Sequence, residues 1–195
     1  MSRLLATIAA LLIAATAHAH TGVGDTNGLV HGFSHPISGI DHILAMVAVG
    51  IFAAHLSGRA LWLVPLSFVS LMAVGGAFGM AGLDLPFVEI GIGLSVVVFG
   101  LAVALGVHMP TAAAMMLVGF LATFHGHAHG AEMPQSASGL TYGVGFVLAT
   151  AVLHACGIGI GLLTGRIGDA YGYRVLRVTG SAMALAGVAI LTGYL

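Results

Sequence analysis

The chain alternates between long apolar stretches and short polar ones. From residue 36 onwards it contains six apolar segments of about 20 residues, the length at which a helix crosses a bilayer. The segments cover about 36–56, 60–83, 86–106, 110–124, 140–165 and 176–195. The polar stretches between them leave no room for a soluble domain. The pattern therefore predicts an all-α fold, a polytopic membrane bundle of six transmembrane helices.

Residues 1–19 have the pattern of a cleaved signal peptide. Arg3 precedes an apolar stretch over residues 4–16, and an Ala-His-Ala cleavage signature ends at residue 19. The apolar stretch is too short to span a bilayer comfortably. An uncleaved first anchor is the alternative. Cleavage would leave a single six-helix transmembrane domain, residues 20–195, with His20 as its new amino terminus in the periplasm.

The arginines give the predicted bundle an orientation. If His20 is outside, the first segment crosses inward, and the loops after the first, third and fifth segments are cytoplasmic. All four arginines that remain after cleavage then lie inside, as the positive-inside rule requires. We therefore expect a multi-pass protein of the bacterial inner (cytoplasmic) membrane, with the mature N-terminus and the C-terminus both periplasmic. These arginines are Arg59, Arg166, Arg174 and Arg177.

Composition narrows the function classes. Hydrophobic residues make up 59% of the chain and charged residues 6%, whereas soluble domains carry about a quarter charged residues. An ordinary soluble enzyme and a nucleic-acid binder are thereby excluded, and the lipid bilayer is the expected partner. The 11 histidines equal in number all arginines and acidic residues together. Histidine is thus retained where charge is not, which indicates a chemical role.

Glycines at helical spacing predict close helix packing. Gly75 and Gly79 share one face of the second segment, and Gly157, Gly161 and Gly165 share one face of the fifth. Small residues on a face let membrane helices approach closely, where no hydrophobic force drives their association. The faces serve packing either within one chain or between subunits of a homo-oligomer.

A first group of candidate metal ligands lies at the start of the first segment. His35 and His42 are seven residues apart, nearly two helical turns, so they share a face of a helix whose first turn contains Pro36. Met46 continues that face inward. Asp41 points about 100° away, where it can bind a metal or orient an imidazole. Helix capping and interhelical hydrogen bonding are the alternative roles.

A second group follows the fourth segment. If this stretch is helical, His125, His129 and Glu132 occur at i, i+4 and i+7, a single stripe with metal-ligand spacing. If the intervening glycines break the helix, these imidazoles and that of His127 cluster in a flexible loop. Imidazole with carboxylate suits nickel, cobalt, zinc or copper(II), whereas magnesium and calcium prefer oxygen ligands alone.

Other residues extend the set of candidates. Glu89, near the outer end of the third segment, is a candidate metal ligand, with an interhelical hydrogen bond as its alternative role. His20, which gains a free amine on cleavage, is a subsidiary candidate for metal capture. His154 is another, and with His55 and His108 it either marks an exit path toward the cytoplasm or serves structure.

The two motifs resemble those of the HupE/UreJ family of bacterial metal permeases. They are His35-x5-Asp41-His42 and Phe124-His125-Gly126-x-Ala128-x-Gly130-x-Glu132. Signal peptide, length and six spans are similar as well, so the resemblance covers essentially the whole chain. It implies uptake of nickel or cobalt for hydrogenase and urease maturation. By that resemblance the residues carried over as transport-essential are His35, Asp41, His42, Glu89, His125 and Glu132.

The leading hypothesis is a secondary permease that imports a divalent transition metal from the periplasm. We expect Ni²⁺ first, with Co²⁺, Cu²⁺ or Zn²⁺ as alternatives. The metal is cargo, and no tightly bound cofactor and no enzymatic activity are expected. One rival is a membrane accessory protein that hands metal to a partner without transporting it. An intramembrane redox enzyme is disfavoured, because the predicted ligands crowd the outer surface instead of lying at mid-span.

Overall fold

The computed structural model describes residues 28–133, 138–166 and 169–195 of the 195-residue chain. The predicted signal peptide and His20 lie outside the described residues. Every regular element within these ranges is a helix, which confirms the all-α prediction. The helices are α1 (Gly28–Ser38), α2 (Ile40–Leu56), α3 (Ala60–Met80), α4 (Val88–Ala104), α5 (Thr111–Ala131), α6 (Gly139–Arg166) and α7 (Asp169–Leu191).

Several of these helices can cross a membrane. α3, α5, α6 and the stretch Tyr171–Leu191 of α7 are each long and apolar enough, and α1 with α2 passes the same test as one bent span. α4 is apolar but has only 17 residues, fewer than the roughly 20 that a spanning helix needs. Each of the six predicted segments thus contains a helix, whereas length and composition support four crossings, or five with the bent pair.

The surface of the bundle fits a lipid environment. Large apolar side chains are exposed on several helices; the largest such side chains include Trp62, Phe78, Met116, Phe120 and Leu185. An exposed apolar surface of this extent is rare on soluble monomers. The described residues therefore form a multi-pass membrane protein, as the composition predicts.

The predicted start of the first helix is wrong. α1 ends at Ser38, Gly39 takes an extended conformation (φ −92°, ψ 120°), and α2 begins at Ile40. The two helices meet at an angle of 81°. Pro36 lies inside α1 and not in the first turn of the long helix. Pro36 has no N–H and so removes a helical hydrogen bond there, and the extended Gly39 ends the helix.

The glycine faces are used within the chain. An added Cβ at Gly75 would overlap the carbonyl of Thr123 on α5, so α3 and α5 pack with their backbones in contact. In the same way Gly157 on α6 faces the backbone of α2 near Val47. Gly165 has open space around it. Most of the predicted glycine faces thus pack against other helices of the same chain, and oligomerisation is not shown.

The bundle has two chemically different ends. At one end, which we name the outer end, the Nε2 of His127 donates a hydrogen bond of 2.7 Å to the carbonyl of Leu83, just past α3. Glu132 follows α5 at this end. At the opposite, inner end, Gly106 lies beside Tyr173 and His55. The four arginines follow α2, end α6 or lie in the first turns of α7, so they belong to the inner end.

Candidate metal centre

Three histidines from two helices converge near the outer end. His42 lies in the first turns of α2, and His125 and His129 are four residues apart on α5. One ring nitrogen from each lies within 4.8 Å of the others. His42 and His125 are fully buried, and 12% of the His129 side chain is exposed. We refer to His42, His125 and His129 as the buried triad.

The helix that carries two triad members continues through its glycines. α5 runs to Ala131 without a break, which confirms the helical alternative for this stretch. An added Cβ at Gly126 would overlap the carbonyl of Met72 on α3, and one at Gly130 would overlap that of Gly76. Glycine therefore permits the close approach of α3 and α5, and this packing supports a helix that glycine alone would weaken.

His35 reaches the triad from a different helix than predicted. Because of the bend at Gly39, His35 lies at the end of α1 and His42 on α2, so the prediction that both share one helix face is wrong. Both rings nevertheless lie beside His129, with ring centroids 4.8 Å away for His35 and 5.0 Å away for His42. His129 is therefore the link between α1 and the buried triad.

His35, His129 and Glu132 form a second group, which we name the outer cluster; one ligand atom of each lies within 4.8 Å of the others. The Nδ1 of His129 and the Nε2 of His35 lie 3.6 Å and 3.2 Å from the same oxygen of Glu132. These two imidazoles lower the pKa of the Glu132 carboxyl to about 2. The side chain of Glu132 is 59% exposed, so the outer cluster presents an ionised carboxylate to solvent.

Two hydroxyl groups orient the rings of the triad. Ser95 on α4 donates to the carbonyl of Ile92 (2.7 Å), and its oxygen lies 2.6 Å from the Nε2 of His125. Thr150 on α6 donates to the sulfur of Met72 (3.7 Å), and its oxygen lies 3.3 Å from the Nε2 of His42. A hydroxyl has one hydrogen. When each hydroxyl donates to that carbonyl or sulfur, its oxygen accepts from Nε2–H, and the Nδ1 of each imidazole carries the free lone pair.

The free nitrogens are those that a metal requires. Within the described residues, the Nδ1 atoms of His42 and His125 and both ring nitrogens of His129 are buried without a hydrogen-bond partner. A buried polar group left unpaired costs about 1–3 kcal/mol. Metal-binding histidines typically donate their other N–H to a neighbouring group, which fixes the tautomer. Ser95 and Thr150 supply that arrangement for two triad members.

The spacing of the triad fits a loosely held ion. Metal–nitrogen bonds of about 2.0–2.1 Å place two ligand nitrogens about 3.0–3.4 Å apart. The ligand atoms of the triad lie within 4.8 Å of one another, so small side-chain rotations bring them onto one ion. Three imidazoles leave further coordination positions open for water or for Glu132. The buried cluster can therefore bind a transition metal without enclosing it.

Comparison with known proteins assigns the family. The HupE / UreJ protein family matches residues 8–190 of the chain. Protein HupE from Rhizobium leguminosarum bv. viciae is 49% identical over 192 residues, which is 98% of each of the two chains. The chain belongs to the HupE/UreJ family. No solved structure matches it.

Members of the HupE/UreJ family are permease or accessory proteins associated with nickel and cobalt uptake. The two motifs that carry the resemblance include every member of the buried triad and the outer cluster except His129. In the second motif, position 129 can be any residue. The geometry thus connects the two motifs through a residue that the resemblance alone does not mark.

Other predicted site residues lie apart from the two clusters. Asp41 is half-buried in the first turn of α2, and the described residues offer its carboxylate no hydrogen-bond partner. Glu89 is exposed in the first turn of α4. His127 is turned toward Leu83. Met46 is buried in the apolar core. Among the described residues, Asp41, Glu89 and His127 belong to no group of three or more His, Cys, Asp or Glu side chains that could hold a metal.

The predicted exit residues form two separate features. His154 is 2% exposed and lies against Phe68, with ring centroids 5.2 Å apart. At the inner end, the Nε2 of His55 lies 3.3 Å from the Nδ1 of His108, which itself donates to the carbonyl of Gly106 (3.0 Å). Imidazoles thus occur at the outer end, in the interior and at the inner end of the bundle.

A cavity of about 550 Å³ borders the triad. It lies between α3, α5 and α6, and its wall extends from Met80 and Gly139 near the outer end to His129. Tyr142 and Phe146 of α6 complete this wall beside His129. The cavity gives His129 open space beside the triad.

Sequence reasoning missed the residues that orient the triad. Ser95 is a fully buried hydroxyl in the part of α4 that is apolar after Glu89, and Thr150 is a fully buried hydroxyl on α6. An isolated hydroxyl in a membrane helix is a signal that could have marked both, because a polar side chain there needs a partner. The sequence alone does not reveal that those partners are His125 and His42.

Proposed function

We propose that this protein is a secondary permease that carries a divalent transition metal, Ni²⁺ first, from the periplasm into the cytoplasm for metalloenzyme maturation. The observation that carries the proposal is the buried triad, whose unpartnered nitrogens adjoin the solvent-exposed outer cluster through His129. The family, which is associated with nickel and cobalt uptake, supports the same metal class.

The donor set supports this choice of metal. Imidazole nitrogen with one carboxylate suits Ni²⁺, Co²⁺, Zn²⁺ and Cu²⁺, and disfavours Mg²⁺ and Ca²⁺. A hydrated ion first meets the ionised Glu132 and the ring of His35 in the outer cluster. It exchanges water for nitrogen ligands as it passes to the buried triad. His129 belongs to both groups, so the ion keeps one ligand during this transfer.

Six crossings are part of the proposal. α4 is about 26 Å long at 1.5 Å per residue, which nearly matches a hydrocarbon core of about 30 Å. With α4 and the bent pair counted as crossings, every arginine after residue 19 lies on the cytoplasmic side and both mature termini are periplasmic. Residues 1–19 act as a removable signal peptide in this topology. An ion or proton gradient supplies the energy, since the chain has no Lys for a Walker A motif.

The proposal is tested with purified protein in liposomes that contain a metal-sensitive dye. We expect entry of Ni²⁺, and comparison with Co²⁺, Cu²⁺ and Zn²⁺ in parallel ranks the metals. His125→Gln should abolish entry, because it removes a triad ligand. The matched control is His127→Gln on the same helix, which keeps a hydrogen-bond donor for the carbonyl of Leu83 and should retain entry.

The outcomes separate the rival functions. Metal binding without entry in the unmodified protein would favour an accessory protein that hands its metal to a partner. Equal entry in the His125→Gln and His127→Gln variants would contradict a triad on the transport path. An absorption spectrum of the purified protein tests the redox alternative, because haem and metal clusters absorb strongly in the visible range.

A further inference from the structure

His154 is a buried imidazole outside both clusters. It lies on α6 with 2% of its surface exposed, and neither ring nitrogen has a hydrogen-bond partner among the described residues. Buried polar side chains in folded proteins nearly always have a partner. His127, also buried, follows that rule through its bond to Leu83. The environment of His154 therefore differs from that of a histidine that serves packing alone.

The position of His154 is one helical turn further inward than the triad. Thr150 of α6 contacts His42 and Met72 at the level of the triad. His154 follows Thr150 by four residues on α6, and Phe68 precedes Met72 by four residues on α3. Because the two helices run in opposite directions, both steps lead toward the inner end. The rings of His154 and Phe68 are in contact, so the two helices keep their register over this turn. The step corresponds to about 6 Å along the bundle.

Phe68 contacts an imidazole of each level. Its side chain is fully buried, and its ring centroid lies 5.9 Å from that of His125 and 5.2 Å from that of His154. An aromatic ring between two imidazoles interrupts the polar path without closing it to a cation, because its face attracts positive charge. The triad, Phe68 and His154 therefore follow one another toward the inner end.

We propose that His154 is a second binding site for the transported metal cation, one helical turn inward from the buried triad, with Phe68 as the barrier between the two sites. The proposal rests on the transport function proposed above. The neutral ring of His154 offers one lone pair, so the ion binds here through a single nitrogen and retains water. Such binding is weaker than binding at the triad.

A weaker second site has a clear use in transport. An ion must be bound strongly enough to enter and weakly enough to leave, and successive sites achieve this together. The ion gives up the nitrogens of the triad and gains that of His154 at the next level. At the inner end, the Nε2 of His55 lies 3.3 Å from the Nδ1 of His108, so imidazole also occurs where the ion would leave the bundle.

The test compares binding with transport in His154→Gln and His154→Asn. Binding of Ni²⁺ to the detergent-purified protein is measured by isothermal titration calorimetry, and Ni²⁺ entry is measured in liposomes. We expect binding within about twofold of the unmodified protein, because the triad is intact, and entry at least tenfold slower. His127→Gln is the matched control and should change neither quantity by more than about twofold.

Two outcomes would overturn the inference. Entry within twofold of the unmodified protein in both variants would show that the ion does not use His154. Loss of binding together with entry in both variants would assign His154 to the support of the fold. Neither result resembles failure of the transport proposal itself, in which the unmodified protein binds Ni²⁺ without entry or His125→Gln leaves binding and entry unchanged.

Discussion

The outer cluster and the buried triad share His129 but hold it in different surroundings. In the outer cluster, Glu132 is 59% exposed and His35 is 26% exposed, and the two bond to each other. In the triad, His42 and His125 are fully buried and bond only to hydroxyl groups, with their remaining nitrogens free. The outer cluster carries a charge in contact with water, whereas the buried triad places uncharged nitrogen ligands in the interior.

The contrast shows how a membrane protein can hold metal ligands at a low cost in folding free energy. A buried charge costs several kcal/mol unless it is paired, so the carboxylate remains at the surface, where water and imidazoles solvate it. Neutral imidazole can be buried if one N–H has a partner, and Ser95 and Thr150 provide those partners. The outer cluster thus suits capture of a hydrated cation, and the triad suits its partial dehydration.

Removal of His129 breaks both groups at once and should have the largest effect. We expect His129→Ala to weaken Ni²⁺ binding by at least about 100-fold, because loss of a direct ligand exceeds the roughly 10–100-fold effect of losing an outer-shell partner. Titration calorimetry measures the change. His127→Gln, on the same helix but outside both groups, is the control. A change below tenfold for His129→Ala would show that the two groups act independently.

Removal of the charge at Glu132 should affect the outer cluster and leave the buried triad intact. Hydrogen bonds to charged groups contribute about 1.5–3 kcal/mol, so Glu132→Gln should weaken capture of Ni²⁺ by about 10–100-fold. The triad is unchanged, and saturating Ni²⁺ should therefore restore most of the maximal rate of entry. A variant whose maximal rate stays low at any Ni²⁺ concentration would place Glu132 in the transfer step, beyond the initial capture.

Loss of the hydroxyl at Ser95 affects only the triad. Ser95→Ala leaves the Nε2–H of His125 without its partner, so the ring loses its fixed tautomer and orientation. We expect about a tenfold loss of affinity, at the lower end of the range for outer-shell partners. Ser95→Thr, which retains a hydroxyl, should recover part of the affinity. Unchanged binding in Ser95→Ala would mean that packing alone orients His125.

The acid dependence of binding should come from imidazole and not from the carboxylate. The pKa of Glu132 is lowered to about 2, so its contacts with His35 and His129 contribute fully above about pH 4.5 and are lost only as the pH falls toward 2. Protonated imidazole cannot bind metal, because both of its ring nitrogens then carry a hydrogen. A loss of binding between pH 7.5 and 5.5 should therefore come from the imidazole ligands, because Glu132 stays ionised throughout that range.

The control for this acid dependence is the Glu132→Gln variant. Its affinity is lower at every pH, but the midpoint of the decline should be unchanged, within about 0.3 pH units. Equilibrium binding of Ni²⁺ in buffers of constant ionic strength measures the midpoint. A midpoint that moves by a full pH unit would show that the carboxylate titrates together with the imidazoles.

The sequence predicts the second motif better than the first. If the stretch is helical, the spacing of His125, His129 and Glu132 predicts a single stripe. His125 and His129 lie on α5, and Glu132 follows directly after its last residue. The first motif is different, because Gly39 bends the chain where spacing alone predicts a continuous helix. Whether a glycine bends or continues a helix depends on what packs against it, and that information lies in other segments of the chain.

The burial of the predicted site residues was also only partly predictable from the sequence. The apolar segments predict where the helices lie along the chain, but they do not show that His42 and His125 are fully buried whereas Glu89 is exposed. The hydroxyl partner of His42, Thr150 on α6, is 108 residues away in the sequence, and that of His125, Ser95 on α4, is 30 residues away. Such pairings arise from the packing of helices, for which sequence spacing carries no signal.

The most direct test of a metal site in the buried triad is X-ray absorption spectroscopy of the Ni²⁺-loaded protein at the nickel edge. The account predicts nitrogen and oxygen ligands with the outer-sphere scattering of about three imidazole rings, and loss of about one ring in His42→Ala. A spectrum without imidazole scattering, or one that is identical in the unmodified protein and in His42→Ala, would contradict it.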